Sequence, residues 1–233
     1  EVKLKITWLG HSGFKIELAN QIFLIDPWLY GNPVFPEEKI GVTLNGVTHC
    51  LLSHAHSDHA KDAIKIAENR DITIVGIYDF MTHLERTYKL KCLGFNRGGT
   101  INIGDIKITM VAASHSSSFE TDGKTYYGGS EAGFMISGQN RSIYFSGDTD
   151  IMADMAWFNE LHSPEIGILS AGGHFTMDME RAAFAAHKFF NFKTVIPCHY
   201  KTFSVLEQSA SELTKRLPNV AVIEPEVLRT IEL

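Results

Sequence analysis

The stretch "LLSHAHSDHAKD", Leu51 to Asp62, decides how this chain is read. An apolar run ends at Ser53, and three histidines and an aspartate follow in six positions: His54, His56, Asp58 and His59. Imidazoles and carboxylates are costly to desolvate unless something pairs with them, so packing alone does not account for the crowding. On extended chain the side-chain period of two would turn His54, His56 and Asp58 to one side, and His59 breaks that parity. A turn into a helix would aim His54 and His56 at one ion, and Asp58 with His59 at a neighbour. Imidazole with carboxylate suits zinc first, and also manganese, iron or nickel. A single such residue would read as a helix cap; four together read as a metal site.

The flanking sequence gives the cluster its setting. Before it, "KLKITWL", "FKIEL" and "QIFLIDP" alternate as strands joined at "GHSG" and "AN". An irregular excursion carrying Gly31, Pro33, Pro36 and Gly41 leads to the strand "GVTHCLLS". After it, "AKDAIKIAEN" predicts a helix, with Ala63, Ile64 and Ala67 on one face. "DITIVG" is a strand, "YDFMTHLERTYK" a helix, and "INIGDIKITMVAA" a hairpin turning at Gly104-Asp105. The polar, Gly-rich "SHSSSFETDGKTYYGGSEAG" reads as a functional loop. A further hairpin, "FMIS-GQNR-SIYFS", precedes alternating helices and strands to the end. Strands first and alternation later, in both halves, predicts two packed sheets with helices outside.

Three further ligand-type residues follow strand ends: His115 after "IKITMVAAS", Asp148 after "SIYFSG" and His199 after "TVIPC". That placement brings them to one edge of a layered structure and completes a set of seven. Such a set is enough for two ions sharing a water, with an aspartate suited to bridge them. "SHSSS" lacks a GxSxG elbow, which argues against serine chemistry.

Size and composition bound the alternatives. A chain of 233 residues with 44% hydrophobic residues supports one domain over 1–233. Net charge is -6 and no Lys/Arg run occurs, so long nucleic acid is a poor partner. Three cysteines, Cys50, Cys92 and Cys198, without CxxC spacing fit a reducing cytoplasm. Neither a signal-peptide pattern nor an apolar run of membrane-spanning length is visible. A small-molecule substrate is the expected partner, with homo-oligomerisation left open.

The motif His54-Ala55-His56-Ser57-Asp58-His59 resembles the HxHxDH signature of the metallo-β-lactamase superfamily, and His115, Asp148 and His199 match the order of its later ligands. "GHSGF" (10–14), "IDP" (25–27), "HSSS", "SGDT", "GGHFTM" and "HYKTF" are similar to the metal-dependent hydrolase branch related to L-ascorbate-6-phosphate lactonases. The resemblance spans residues 8–203. It implies an α+β fold, a four-layer αββα sandwich of two mixed sheets with outer helices. It also implies two divalent ions per chain. His54, His56 and His115 would hold one, and Asp58, His59 and His199 the other, with Asp148 bridging.

Asp58 would combine metal binding with orienting the nucleophile or relaying a proton. His11, in the "GHSG" turn that the resemblance places near the metals, and His174, in a Gly-Gly-His turn after a strand, are candidate substrate-binding residues. Tyr200 is a third candidate, with a buried structural role as its alternative. "GGHFTM" departs from a common variant of the branch that has Asn where His174 stands. The excursion from Trp28 to Leu44 and the loop from Ser116 to Glu131 are expected to wall the pocket. The expected activity is hydrolysis of a lactone, a sugar-phosphate lactone or a phosphodiester. Two alternatives come from other classes. A metal-dependent oxidoreductase is one, although redox di-iron relatives carry Glu where His56 stands. A non-catalytic metal-binding scaffold is the other.

Overall fold

The computed structural model describes residues 4–233; Lys3, the first residue of the expected strand "KLKITWL", lies outside them. Strands β1 (Lys5–Gly10), β2 (Gly13–Leu18) and β3 (Gln21–Ile25) form an antiparallel meander. In β2 the alternation is plain, with Phe14, Ile16 and Leu18 buried and Lys15 and Glu17 turned toward solvent. The excursion holds one 3-10 turn, Glu37–Lys39, and the single-turn helix α1 (Ile40–Thr43). The chain then switches to parallel pairing: β4 (His49–Leu51), α2 (Ser57–Asn69), β5 (Thr73–Ile77), α3 (Tyr78–Tyr88) and β6 (Cys92–Phe95).

The second half repeats the scheme. Strands β7 (Thr100–Ile103) and β8 (Ile106–Ala112) form the hairpin expected at Gly104-Asp105. The small hairpin β9 (Ser118–Thr121) and β10 (Lys124–Tyr127) occupies the stretch read as loop. Then β11 (Ala132–Gly138) and β12 (Arg141–Phe145) pair antiparallel. Parallel pairing resumes through α4 (Met155–His162), β13 (Ile166–Ser170), α5 (Met179–Phe189), β14 (Thr194–Cys198), α6 (Ser211–Arg216) and β15 (Ala221–Val222). Finally β16 (Thr230–Glu232) returns to pair with β1.

The strand orders are β16-β1-β2-β3-β4-β5-β6 and β15-β14-β13-β12-β11-β8-β7. Both seven-stranded sheets are mixed, antiparallel in one half and parallel in the other. The parallel strands β5, β13 and β14 are buried at every position, as parallel strands covered on both faces must be. Rings interlock between the sheets: Phe14 meets Phe145 edge-on at 6.3 Å, and Phe95 stacks with Phe134 at 6.4 Å. On the other face of the second sheet Tyr144 stacks on Phe190 at 5.2 Å and meets Phe158 of α4 at 5.9 Å. The expected αββα arrangement is therefore found. Among the described residues no helix is long and apolar enough to cross a membrane.

Parallel strands deliver their carboxyl ends to one rim, where α/β folds place ligands. Gly147, at the end of β12, fixes the chain there: its φ is +61°, and a Cβ would strike the carbonyl of Ala132. Gly147→Ala should therefore lose at least about 2 kcal/mol of folding stability, combining the left-handed backbone cost with overpacking. Gly31 also has a positive φ, +69°, but faces open space, so Gly31→Ala should lose only about 1 kcal/mol. Urea unfolding of both variants checks the contrast, and equal losses would remove the proposed clash.

Candidate metal centre

The cluster sits where β4 hands over to α2. Leu52 still pairs as a strand, its N–H donating to the Val75 carbonyl at 2.8 Å. His56 is extended (φ −59°, ψ 147°), and its carbonyl accepts from the N–H groups of His59 at 3.0 Å and Ala60 at 2.9 Å. The helix thus begins at Ser57, three residues before the expected start, and Asp58 and His59 occupy its first turn. His54 and His56 come from extended chain, Asp58 and His59 from helix. That change of conformation separates the pairs, as the parity break in the sequence implied.

The carboxylate of Asp148 lies at the middle. Its Oδ2 is 3.0 Å from His199 Nε2, 3.3 Å from His59 Nε2, 3.6 Å from His115 Nε2 and 3.9 Å from His54 Nε2. Asp58 Oδ2 is 3.5 Å from His59 Nε2 and 3.8 Å from His199 Nε2. Among the described residues three groups offer ligand atoms within 4.8 Å of one another; one is Asp26, His54 and His59, and the two beside Asp148 are His54, His56 and His115, and His11, Asp58, His59 and His199. Asp148 borders both. All seven residues singled out in the sequence are brought together, and His11 joins them.

The rings are held from behind. Asp26, fully buried, accepts from Ser53 N–H at 2.8 Å, Ser53 Oγ at 2.5 Å and His59 Nδ1 at 2.9 Å. Ser53 Oγ also meets His54 Nδ1 at 2.9 Å. With their Nδ1 atoms engaged, His59 and His54 present Nε2 to the centre, the usual way a carboxylate fixes a metal-binding imidazole. Asp26 was missed as a site residue, although "IDP" marked its position.

Charge and burial fit a cation site. Burial alone would raise the Asp148 carboxyl, yet His199 and His59 hold it well below its ordinary value. Asp58 is likewise pushed up by burial and held well below the carboxylate range by His59 and His11. His59 is pulled down by burial, but Asp148, Asp58 and Asp26 raise it well above 6.5. His54, His56 and His115 are lowered, chiefly by burial. Three buried atoms, His59 Nε2, Asp148 Oδ1 and His199 Nδ1, have no hydrogen-bond partner in the protein. Orphans of that kind call for a partner. His/Asp donors suit a divalent transition ion.

The comparisons agree with this geometry. Residues 21–200 match the family profile described as Beta-lactamase superfamily domain. A relative from Dinoroseobacter shibae, named a UPF0173 metal-dependent hydrolase, is 57% identical over 230 residues, covering 99% of this chain and 100% of the relative. The chain belongs to the UPF0173 family of the β-lactamase superfamily. A solved metallo hydrolase from the archaeon Ignicoccus hospitalis superposes with a TM-score of 0.88 at 28% identity, over 100% of this chain and 99% of that one. A diiron β-hydroxylase from Streptomyces venezuelae shares the fold at a TM-score of 0.70 and 14% identity, over 99% of this chain and 54% of its own.

Within this β-lactamase-superfamily fold the three expected substrate contacts are placed elsewhere. His11 is fully buried and bonds Asp58 Oδ2 through Nε2 at 2.8 Å and Thr202 Oγ1 through Nδ1 at 2.6 Å. It stands behind Asp58, not on the cleft wall. Tyr200 is fully buried and stacks on Trp8 at 5.4 Å, away from the cleft. His174 lines a separate depression with Gly172 and Asp178; its neighbour Phe175 reaches the metal cleft instead. That cleft, about 570 Å³, is walled by Trp28, Tyr30, Ser116, Phe175 and Phe203 over the histidine–aspartate cluster. The excursion after Trp28 and the loop at Ser116 thus contribute as expected.

Two outcomes follow from these contacts. Asp26→Asn should weaken metal affinity about 10–100-fold, read by chelator competition; unchanged affinity would remove Asp26 from its orienting role. The second concerns acid stability of metal-free protein. Burial pulls His11 down to about 4 and also lowers His54, His56 and His115 below their ordinary 6.5. From pH 6.5 toward pH 4 the unfolded chain therefore binds more protons than the folded one, and stability should fall as pH drops. His59, raised, acts oppositely: its contribution is present below 6.5 and lost as pH rises through its folded value. Denaturant midpoints of chelator-treated protein across this range check the sign.

Proposed function

We propose that this protein is a two-metal hydrolase of a small ester-like substrate: a lactone, a sugar-phosphate lactone or a phosphodiester. The observation that carries the reading is the position of Asp148 Oδ2, 3.0–3.9 Å from imidazole nitrogens of both ligand groups. His54, His56 and His115 would hold one ion, Asp58, His59 and His199 the other, and Asp148 would bridge. Divalent ions bound there supply Lewis acidity and a water of lowered pKa, hence a nucleophile near neutral pH.

The protein's own groups do the positioning. Burial keeps His11 neutral at pH 7, so one ring nitrogen carries a proton and the other accepts. The Thr202 hydroxyl donating to Nδ1 leaves Nε2–H to donate to Asp58. Asp58 stays ionised, lines the cleft, and can orient an attacking water or take its proton. Trp28, Phe175 and Phe203 narrow the cleft and shield the reacting bond from bulk water.

A trio of imidazoles in the first group favours zinc-type hydrolysis over the His-and-carboxylate sets of redox iron. Free Cys50, Cys92 and Cys198 support a reducing, cytoplasmic setting for the reaction.

Metal analysis and hydrolysis assays on one gently purified sample test the proposal, with Asp148→Ala as the control. About two ions per chain and turnover that falls by roughly 10²–10³ in the variant are expected. Iron with redox spectra would favour oxidoreductase chemistry. Metal without hydrolysis of any lactone, ester or phosphodiester would favour a scaffold.

A further inference from the structure

The metal cleft does not end at the metals. A second lobe of about 440 Å³ shares His56, Ser57, Asp58 and Lys61 with it, so the first turns of α2 form a waist between the two. Its far wall is apolar: Ile64 from α2, Phe80, Leu84 and Tyr88 from α3, and Phe119 from β9. Phe80 and Leu84 belong to the core, but Tyr88 is 37% exposed and faces open space that the core does not need. Phe119 is wedged in place, 4.5 Å from the His83 ring, 5.3 Å from Phe80 and stacked on Tyr126 at 5.6 Å. The β9–β10 hairpin is thus pinned onto α3 as one side of a preformed slot.

The charges around both lobes are sparse and lopsided. Lys61 is the single Lys or Arg among the described residues lining either one, against Asp58, Asp62, Asp148 and Glu120. A sugar phosphate held away from the metals would meet one cation and several carboxylates, without the Arg or Lys clamp that phosphate recognition uses. A flat apolar arm would meet matching surface. His83 Nε2, on the wall, is buried and has no partner in the protein.

We infer that this lobe binds an aryl arm on the acyl side of the substrate, making the protein selective for esters or lactones of arylalkanoic acids. This rests on the hydrolase reading above. The ester bond lies at the waist, and the arm runs between Ile64, Tyr88 and Phe119. Hydrolysis adds hydroxide to the acyl carbon, the C–O bond breaks, and the alkoxide leaves with the remaining proton of the water. The carboxylic acid so formed gives its proton to solvent at neutral pH and is released as a carboxylate beside Lys61, which lines both lobes.

The test reads binding separately from turnover. Calorimetry on zinc-loaded protein compares 4-phenylbutyrate with butyrate in the natural sequence, Ile64→Trp and Phe119→Ala. Tighter binding of 4-phenylbutyrate by at least about tenfold is expected in the natural sequence. Ile64→Trp, which fills the lobe, should erase that preference and leave butyrate unchanged. Phe119→Ala, which removes one wall, should reduce it. Equal affinity for the two acids overturns the inference, as does a preference that survives Ile64→Trp with unaltered melting. Tighter binding of glucose 6-phosphate than of 4-phenylbutyrate overturns it too. An intact arm preference with no ester hydrolysed sinks the hydrolase reading alone and leaves the lobe a binding site for such acids.

Discussion

Asp148 is the point on which the structure turns. Its carboxylate, 2% exposed, stands within 3.0–3.9 Å of four imidazole nitrogens delivered by the end of β4, α2, the loop at His115 and the end of β14. A buried carboxylate must be paired or coordinate a cation. One proton on His59 can serve it in the metal-free protein, but Asp58 and Asp26 compete for that same ring. More negative charge and lone pairs converge than one proton satisfies, and Asp148 Oδ1 remains without a protein partner. A cation bound at the cluster would resolve the conflict. Seen this way, the sheets, the glycine turns and the residues behind the rings are the means of bringing this set together.

The architecture does so through strand ends. His54 lies just past β4, Asp148 past β12 and His199 past β14, all on the carboxyl side of strands in parallel pairing. Gly172, after β13, completes the rim: a Cβ there would collide with the His199 carbonyl, so that turn must lie flat against the neighbouring one. The two sheets each contribute half of the centre, and their packing through Phe14, Phe145, Phe95 and Phe134 sets the spacing between the halves. Core and chemistry are therefore coupled: a shift of one sheet against the other would separate Asp148 from Asp58.

Much of this was legible in the chain. The meanders showed because one face is buried and one is wet, so residues alternate. The ligand set showed because four ligand types crowd into six positions and three more follow apolar strands. What escaped did so for physical reasons. The hairpin β9–β10 looked like loop because Lys124–Tyr127 is exposed throughout and carries no alternation. Strands β6 and β16 are short sheet edges with little to bury. Helix α2 starts early because Ser57 and Asp58 suit a first turn, where a carboxylate complements the helix dipole, although they carry no apolar period to mark it. Asp26 becomes a site residue only through the register Ile25↔Leu51, which sets it beside Ser53. Proximity of "GHSG" to the metals said nothing of which way His11 points. Tyr200 escaped for the same reason: the left-handed turn at His199, past the end of β14, sets its direction, and no sequence period reports it.

The backbone carries a further sign that the site is maintained against a cost. His11 (φ 55°), Asp26 (φ 43°), His174 (φ 26°) and His199 (φ 59°) all occupy the left-handed region that side chains avoid. Such conformations cost on the order of 1–3 kcal/mol each and persist where surroundings over-determine them. The surroundings are visible: the His11 carbonyl accepts both Trp8 Nε1 at 2.8 Å and the His199 N–H at 2.9 Å, locking two strained turns to each other across the sandwich. That lock is what sets His11 behind Asp58 and His199 beside Asp148. A bound cation, favouring the folded arrangement over the unfolded chain, adds its binding free energy to the same balance. Strain, orphaned buried atoms and crowded carboxylates are then one fact seen three ways: the fold's least comfortable region is the one a bound cation would relieve.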